Sequence, residues 1–121
     1  MQDNLPGQAL AREVEAWRSQ LRKGSLELAV LLSLRGKPRY GLELVEVLNA
    51  RGLGVSEGSI YPLLSRLRAE EKVETEWVDP GAGHSHKYYR LTRRGRAAGE
   101  AMLAAWREFA GAVERVIGDR P

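Results

Sequence analysis

The sequence contains no cysteine and only two histidines in 121 residues. The absence of cysteine excludes disulfides, thiolate metal sites and cysteine nucleophiles, and it fits a reducing cytoplasm. The histidines, His84 and His86, lie one residue apart in one predicted turn without a third or fourth metal ligand. No carboxylate pair or phosphate-binding glycine loop stands out. The sequence therefore predicts no catalytic residue, no metal and no cofactor.

Long apolar segments are absent as well. No run approaches the roughly 18 apolar residues that a membrane-spanning helix needs. The N-terminus also lacks the basic and apolar layout of an export signal. We expect a cytoplasmic protein with no membrane partner, and the length fits one domain with one modest core.

The net charge of +3 is too small to indicate nucleic-acid binding by itself. The distribution of charge is more informative, because residues 17–42 and 80–99 are strongly basic while residues 70–79 are acidic. Such segregation gives one positive face, which is typical of proteins that bind the phosphate backbone. Arginine and lysine at solvated helix ends would explain the pattern equally well.

Apolar residues at helical spacing predict five helices, over residues 8–20, 25–34, 40–50, 59–69 and 93–117. Ser25 and Thr92 are the expected N-caps of the second and the last of these helices. Residues 26–34 are almost continuously apolar and should form the centre of the core. Pro62 lacks an N–H group, so we expect an irregular turn over residues 56–59 before the fourth helix.

Alternating residues predict a β-hairpin after the fourth helix. Strands are expected over residues 73–78 and 86–91, with Val73 and Trp77 partly buried, and a turn-forming cluster lies between them. Three helices followed by a hairpin form a winged helix-turn-helix. The predicted fold class is therefore mainly α with a small β-hairpin. Residues 1–7 would be a flexible N-terminus, 8–92 the DNA-binding domain and 93–121 a C-terminal dimerisation helix.

The helix before the hairpin has two different sides. Four apolar residues recur at i, i+3, i+4 and i+7, namely Ile60, Leu63, Leu64 and Leu67. The start of the helix carries small and hydrogen-bonding residues instead, namely Ser56, Gly58, Ser59 and Tyr61. A helix that is buried on one side and polar at its N-terminal end can enter a DNA major groove, where phosphate oxygens favour the helix N-terminus.

Three motifs at these positions resemble the PadR family of bacterial transcriptional regulators. They are Tyr40-Gly41, the segment 58–67 (Gly-Ser-Ile-Tyr-Pro-Leu-Leu-Ser-Arg-Leu), and residues 87–92 (Lys-Tyr-Tyr-Arg-Leu-Thr) followed by Gly95. The resemblance covers about residues 23–95, and the single helix after the hairpin is similar to the shorter branch of the family. It implies a homodimeric repressor that binds a pseudo-palindromic operator in double-stranded DNA and is often released by a planar aromatic or lipophilic effector. A winged-helix protein–protein interaction module is the alternative.

Eight residues are candidates for DNA contact: Lys23, Tyr40, Gly58, Ser59, Tyr61, Arg66, His86 and Lys87. Lys23 and Tyr40 would clamp the backbone from helix starts, while Ser59 would contact base edges or phosphate. The wing would contribute Lys87 and the two histidines at positions where the family commonly carries arginine and lysine. The charge of these histidines, and with it the affinity of the wing, would rise below about pH 6.5.

Other roles stay open for several candidates. Ser59 and Tyr61 could be simple surface polarity, and the Tyr61 ring could lie on the core and offer only its hydroxyl. Arg66 is expected to meet phosphate, but a surface salt bridge to the acidic stretch, worth ~0.2–1 kcal/mol, is the alternative. Gly58 would permit close approach of DNA, or it would only make the entry turn flexible.

The last helix carries a heptad seam with spacings of 4 and 3, made of Gly95, Gly99, Met102, Trp106, Phe109, Val113 and Val116. This seam predicts a dimerisation element, and packing against the first helix within one chain is the competing interpretation. Trp17 could pair with the same seam from either subunit. Trp17, Met102, Trp106, Phe109 and Val113 are the predicted dimer and effector residues. Trp106 would line a slot for a planar effector or serve only as a packing anchor.

The sequence departs from the family pattern in two places, at the end of the recognition helix and on the seam. Glu71 replaces the glycine that normally ends the recognition helix in a left-handed conformation, at a cost of roughly 1 kcal/mol. Lys72 replaces an aliphatic residue, so it must snorkel or leave a gap. Gly99 stands on the seam where a larger apolar residue is expected, and we expect it to leave space at the dimer contact.

Overall fold

The computed structural model describes residues 6–79 and 85–119. Its elements follow the chain in the order α1 (Pro6–Ser33), β1 (Arg39–Tyr40), α2 (Gly41–Ala50), α3 (Glu57–Ala69), β2 (Val73–Val78), β3 (His86–Leu91) and α4 (Arg93–Gly118). The described residues are mainly helical, with one small antiparallel sheet, as the sequence predicts. The fold class is therefore confirmed.

The first two predicted helices are one continuous helix, so the break expected at Ser25 is wrong. The Ser25 hydroxyl donates to the Leu21 carbonyl at 2.7 Å, which is a bond within a helix and not an N-cap. Gly24 does not end the helix, because a glycine inside a helix costs only about 1 kcal/mol and packing on the core outweighs that. Pro6 and Gly7 belong to α1, while the rest of the predicted flexible segment lies outside the described residues.

The core lies where α1, α2, α3 and the sheet meet. Its buried members are Val30, Leu31, Leu34, Leu44, Leu48, Ile60, Leu64, Leu67, Val73 and Tyr89. The C-terminal part of α1 supplies Val30 and Leu31, and Leu34 follows directly after the helix, which confirms that residues 26–34 are central. The inward stripe of α3 is confirmed at three of its four positions, and Leu63 is half-buried at the margin of the core.

The hairpin is confirmed, with Val73 paired to Leu91 at one end and Val78 paired to His86 at the other. A third strand, β1, pairs with β3 and was not predicted, because two residues are too few for any alternation to show. The Tyr40–Tyr88 pairing ties the start of α2 to the hairpin. Trp77 departs from the expected partial burial, since 68% of its surface is exposed.

Helix α3 begins one residue after Ser56, so the irregular first turn is wrong. The Ile60 amide donates to the Ser56 carbonyl at 3.1 Å, which already closes a regular helical turn. Pro62 lies inside the helix and leaves the Gly58 carbonyl without its intrahelical donor. Gly58 is exposed, so water can satisfy that carbonyl and the proline is tolerated.

The end of α3 adopts the left-handed conformation that the sequence predicts. Glu71 has a φ of 62°, and its amide donates to the Arg68 carbonyl at 3.0 Å. The next amide, that of Lys72, donates to the Leu67 carbonyl at 2.9 Å. These two bonds form a Schellman motif, in which glycine is the usual residue at the position of Glu71.

Helix α4 begins at the predicted cap, where the Thr92 hydroxyl accepts from the Gly95 amide at 3.0 Å. Gly95 is required here, because a Cβ atom would lie 1.8 Å from the Lys72 carbonyl oxygen. Gly99 is buried, and its Cβ would lie 3.4 Å from Leu31. The expectation that Gly99 opens space at a dimer contact is therefore wrong, because this part of the seam packs against α1 of the same chain.

Candidate nucleic-acid interface

The N-terminal end of α3 presents an exposed polar surface in front of the core. Gly58 and Ser59 are exposed, while Ile60 directly behind them is fully buried. The Ser56 and Ser59 hydroxyls lie 3.3 Å apart, so they can hydrogen-bond to each other or turn outward to a ligand. A Cβ atom on Gly58 would meet only the Ser56 hydroxyl, at 3.7 Å. No described contact within the chain therefore requires a glycine at position 58.

Tyr61 packs its ring against the start of α2. A Cβ atom on Gly41 would lie 2.4 Å from the Tyr61 ring, so the ring occupies the space that a side chain at position 41 would need. About 41% of the Tyr61 surface nevertheless stays exposed. This geometry favours the alternative in which the ring lies on the core, with its hydroxyl end against Gly41. It also explains the glycine of the Tyr40-Gly41 motif.

A groove of about 620 Å³ separates α1 from α3 and brings four of the predicted DNA-contacting residues together, namely Lys23, Gly58, Ser59 and Arg66. Apolar residues form part of its lining, among them Leu26, Leu63 and Met102. Lys23 makes no ion pair within residues 6–79 and 85–119, so its ammonium group is available at the rim. The groove unites residues from two helices that the sequence separates by more than thirty positions.

Arg66, by contrast, is held by two carboxylates. Its guanidinium lies 2.8 Å from Glu27 on α1 and 3.0 Å from Glu70 at the end of α3. Lys72 completes the network, at 2.9 Å from Glu27 and 3.0 Å from Glu70. The salt-bridge alternative for Arg66 is therefore the contact that the structure contains, and Lys72 snorkels to these carboxylates instead of leaving a gap.

The electrostatics of the network centre on Glu27. Burial of its carboxylate opposes ionisation, but hydrogen bonds from Arg66 and Lys72 outweigh that effect and leave its pKa below the ordinary value. Hydrogen bonds from Lys72 and Arg66 also lower the pKa of Glu70. Both groups are thus ionised at neutral pH. No role is predicted for Glu27 from the sequence, although it is the single acid in the basic segment 17–42.

The other end of the interface is an aromatic cluster at the base of the wing. The His86 ring stacks on Tyr40 with centroids 4.2 Å apart, and the edge of Tyr88 meets Tyr40 at 5.4 Å. Desolvation, with smaller contributions from Glu43 and Glu46, raises the pKa of Tyr40, so its hydroxyl remains a hydrogen-bond donor. His86 is thus part of a packed cluster, which its sequence context did not indicate.

Lys87 lies on the opposite face of the hairpin from this cluster. Its ammonium group is 5.9 Å from the centre of the Tyr89 ring, and it forms no ion pair in the described part of the chain. His84, the other histidine expected on the wing, lies outside the described residues.

The predicted dimer and effector residues form two exposed apolar stripes. On α1 the stripe consists of Leu10, Val14, Trp17 and Leu21, and on α4 it consists of Trp106, Phe109, Val113, Val116 and Ile117. Met102 marks the boundary, because it is half-buried and packs against the core. Within one chain, the structure therefore supports intrachain packing for the first half of the seam and leaves the second half exposed.

The arrangement of a buried three-helix core, an exposed polar end of α3 and a hairpin that follows it defines a winged helix-turn-helix protein. Among the described residues, no helix is both long enough and apolar enough to cross a membrane.

Comparison with known proteins agrees with this class. Residues 30–101 match the model of the Transcriptional regulator PadR-like family. A PadR family transcriptional regulator from Eggerthella lenta is 31% identical with a TM-score of 0.82, over 93% of this chain and 98% of that one. Transcriptional regulator Rv3488 of Mycobacterium tuberculosis is 32% identical over 81 residues, which are 65% of this chain and 73% of the relative.

The chain belongs to the PadR-like family of transcriptional regulators. Family membership confirms the prediction that it is a regulator and not an enzyme. Bacillus subtilis PadR, solved in complex with operator DNA, shares the fold at a TM-score of 0.59 and 23% identity. The matched region covers 64% of this chain and 46% of the Bacillus subtilis chain.

Proposed function

We propose that this regulator is a cytoplasmic homodimeric repressor that binds a pseudo-palindromic operator through α3 and the wing. The observation that carries the proposal is the exposed polar end of α3, where Gly58 and Ser59 line the same groove as Lys23, which has no ion-pair partner among the described residues. Backbone amides at a helix start, small side chains and a nearby cation are the groups that phosphate oxygens and base edges accept.

We propose a role for each candidate DNA-contacting residue from its position. Gly58 lets the DNA approach the backbone of α3, and Ser59 with the Tyr61 hydroxyl donates to base edges or phosphate. Lys23 and Lys87 neutralise phosphates on either side of α3. Tyr40 and His86 hold the base of the wing, and the Tyr40 hydroxyl contacts the backbone. Arg66 reaches phosphate only after it leaves Glu27 and Glu70.

Homodimerisation is proposed from the two exposed apolar stripes. A second copy of the chain offers each stripe the same apolar surface, and burial of such area stabilises association by about 25 cal/mol per Å² before the costs of binding are subtracted. The dimer would present its two α3 helices to half-sites roughly 34–36 Å apart. Replacement of Phe109, which is 68% exposed, by aspartate should give monomers in sedimentation experiments and leave the fold intact.

The proposed effector is a planar aromatic or lipophilic molecule that binds next to Trp106 where the two α4 helices meet. Trp106 is 47% exposed in the single chain, so its ring has a free face for a partner or a ligand. The test is quenching of Trp106 fluorescence by planar dyes in a variant with Trp17→Phe and Trp77→Phe. Absence of saturable quenching would show that Trp106 is only a packing anchor.

DNA binding is tested by selecting duplexes from a random pool and measuring their affinity at several salt concentrations. A sequence-specific binder should enrich a pseudo-palindrome, and the logarithm of its binding constant should fall linearly with the logarithm of salt concentration. Lys23→Ala should reduce that slope by about 0.9, because one phosphate contact is lost. Arg107→Ala, on the exposed half of α4, is the matched control and should leave the slope unchanged. If no duplex is enriched, the protein is a protein–protein interaction module instead.

A further inference from the structure

Trp77 is the least expected residue on the surface of the hairpin. It lies on β2, an edge strand of the sheet, and 68% of its surface is exposed. No ring contact of Trp77 occurs within residues 6–79 and 85–119. Contact between a large apolar ring and water is unfavourable, and an indole exposed on a binding surface often has a partner. The question is which surface the ring faces.

The strand register determines on which face of the sheet the Trp77 ring lies. Directly paired residues share one face of a sheet, so the pairs Trp77–Lys87 and Thr75–Tyr89 lie on the same side. This side faces α3, because Val73 and Tyr89, which lie on it, are buried in one cluster with the apolar side of α3.

The opposite side of the hairpin carries the aromatic cluster instead. Tyr40, His86 and Tyr88 lie there with Val78, which pairs directly with His86. Trp77 is therefore separated from that cluster by the sheet itself.

Trp77 lies farther along the α3-facing row than the core reaches. The Tyr61 ring, in the second turn of α3, packs against Gly41, and the preceding residue, Tyr40, pairs with Tyr88. Tyr88 in turn pairs with Glu76, the residue directly before Trp77. Strand β2 starts just after the C-terminal end of α3 and passes the level of Tyr61 before it reaches Trp77. Trp77 and Lys87 thus lie toward the polar end of α3, on the side from which the proposed operator approaches.

The chemistry of this pair fits a nucleic-acid backbone. Lys87 offers a phosphate a cation that has no ion-pair partner within residues 6–79 and 85–119, and Trp77 offers a flat apolar ring and one N–H donor. Along a nucleic-acid strand, charged phosphates alternate with apolar sugar faces, so one group of each kind can contact Lys87 and Trp77. We propose that Trp77 packs against the sugar–phosphate backbone of bound DNA and, with Lys87, positions the wing. This inference rests on the proposed DNA binding, and it adds a contact residue that carries no charge.

The test compares four proteins on a duplex selected by the wild type: wild type, Trp77→Ala, Lys87→Ala and Glu74→Gln. Trp77→Ala should weaken binding about tenfold, within the range for loss of an aromatic contact to a nucleic acid, and should leave the salt slope unchanged. Lys87→Ala should weaken binding and also reduce the slope by about 0.9. Glu74→Gln alters an exposed residue on the other face of β2, away from the aromatic cluster, and should bind as the wild type does.

A second measurement keeps the inference testable if Trp77→Ala is poorly folded. The DNA should protect part of the wild-type tryptophan emission from acrylamide, and Trp77→Phe should lose that protection while its thermal unfolding is unchanged. Equal affinity and equal protection in wild type and Trp77 variants would overturn the inference while DNA binding stands. Failure of the wild type to bind any duplex would overturn both proposals.

Discussion

Glu71 gives the sharpest prediction about stability, because its backbone is strained and its side chain is exposed. Its φ of 62° lies in the left-handed region, which costs a non-glycine residue about 1–2 kcal/mol. Glycine removes that strain but adds about 0.4–1 kcal/mol of entropy to the unfolded chain. Glu71→Gly should therefore stabilise the protein by about 0.5–1 kcal/mol. For 121 residues this corresponds to a rise in Tm of roughly 2–4 °C.

Calorimetry at one fixed protein concentration measures this change, since the proposed dimerisation would make Tm depend on concentration. Glu71→Ala is the matched control, because it removes the carboxylate and keeps the strained backbone. We expect Glu71→Ala to leave Tm within about 1 °C of the wild type. If alanine raises Tm as much as glycine does, the effect arises from charge, and the argument from backbone strain is wrong.

Three further predictions concern the network, α3 and α4. Glu27→Gln should lower the free energy of unfolding by about 1–2 kcal/mol in urea titrations at pH 7. Because the pKa of Glu27 is lowered in the folded protein, this stabilisation is complete above the unfolded-state pKa and is lost as the pH falls through the folded-state pKa. Gly58→Ala should keep or slightly raise Tm, yet weaken binding to the selected duplex about tenfold, the effect of losing one good contact. Gly95→Ala should destabilise by about 1–3 kcal/mol in the same titrations, because its Cβ meets the Lys72 carbonyl, whereas Gly111→Ala in the same helix has its nearest neighbour at 3.6 Å and should not.

The sequence predicted those features that depend on local chemistry. The cap at Thr92, the two strands of the hairpin and the left-handed residue after α3 each follow from residue types within a few positions. The predicted helix break at Ser25 was wrong because packing, and not local chemistry, decides the structure there. Local preference there is weak, and packing of the C-terminal part of α1 in the core keeps the helix continuous through Gly24.

The candidate site was less predictable, because it depends on which side chains meet across the fold. Nothing near Glu27 in sequence shows that Arg66 and Lys72 approach it from more than thirty residues away. The stacking of His86 on Tyr40 depends on the two-residue strand β1, which was too short to detect. Gly99 was placed on a dimer seam because heptad spacing does not distinguish a partner subunit from helix α1 of the same chain.

The pairing of Arg66 changes how the predicted cations should rank as phosphate contacts. A phosphate that recruits Arg66 must replace its hydrogen bonds to Glu27 and Glu70, and both carboxylates would then retain only Lys72 within the network. The favourable contact to DNA is offset by the contacts that are lost, so the net contribution of Arg66 is small. Lys23 has no such partner to leave among the described residues. A phosphate contact by Lys23 would therefore be gained without a competing loss, so we expect Lys23 to contribute more than Arg66 in spite of the more favourable geometry of arginine.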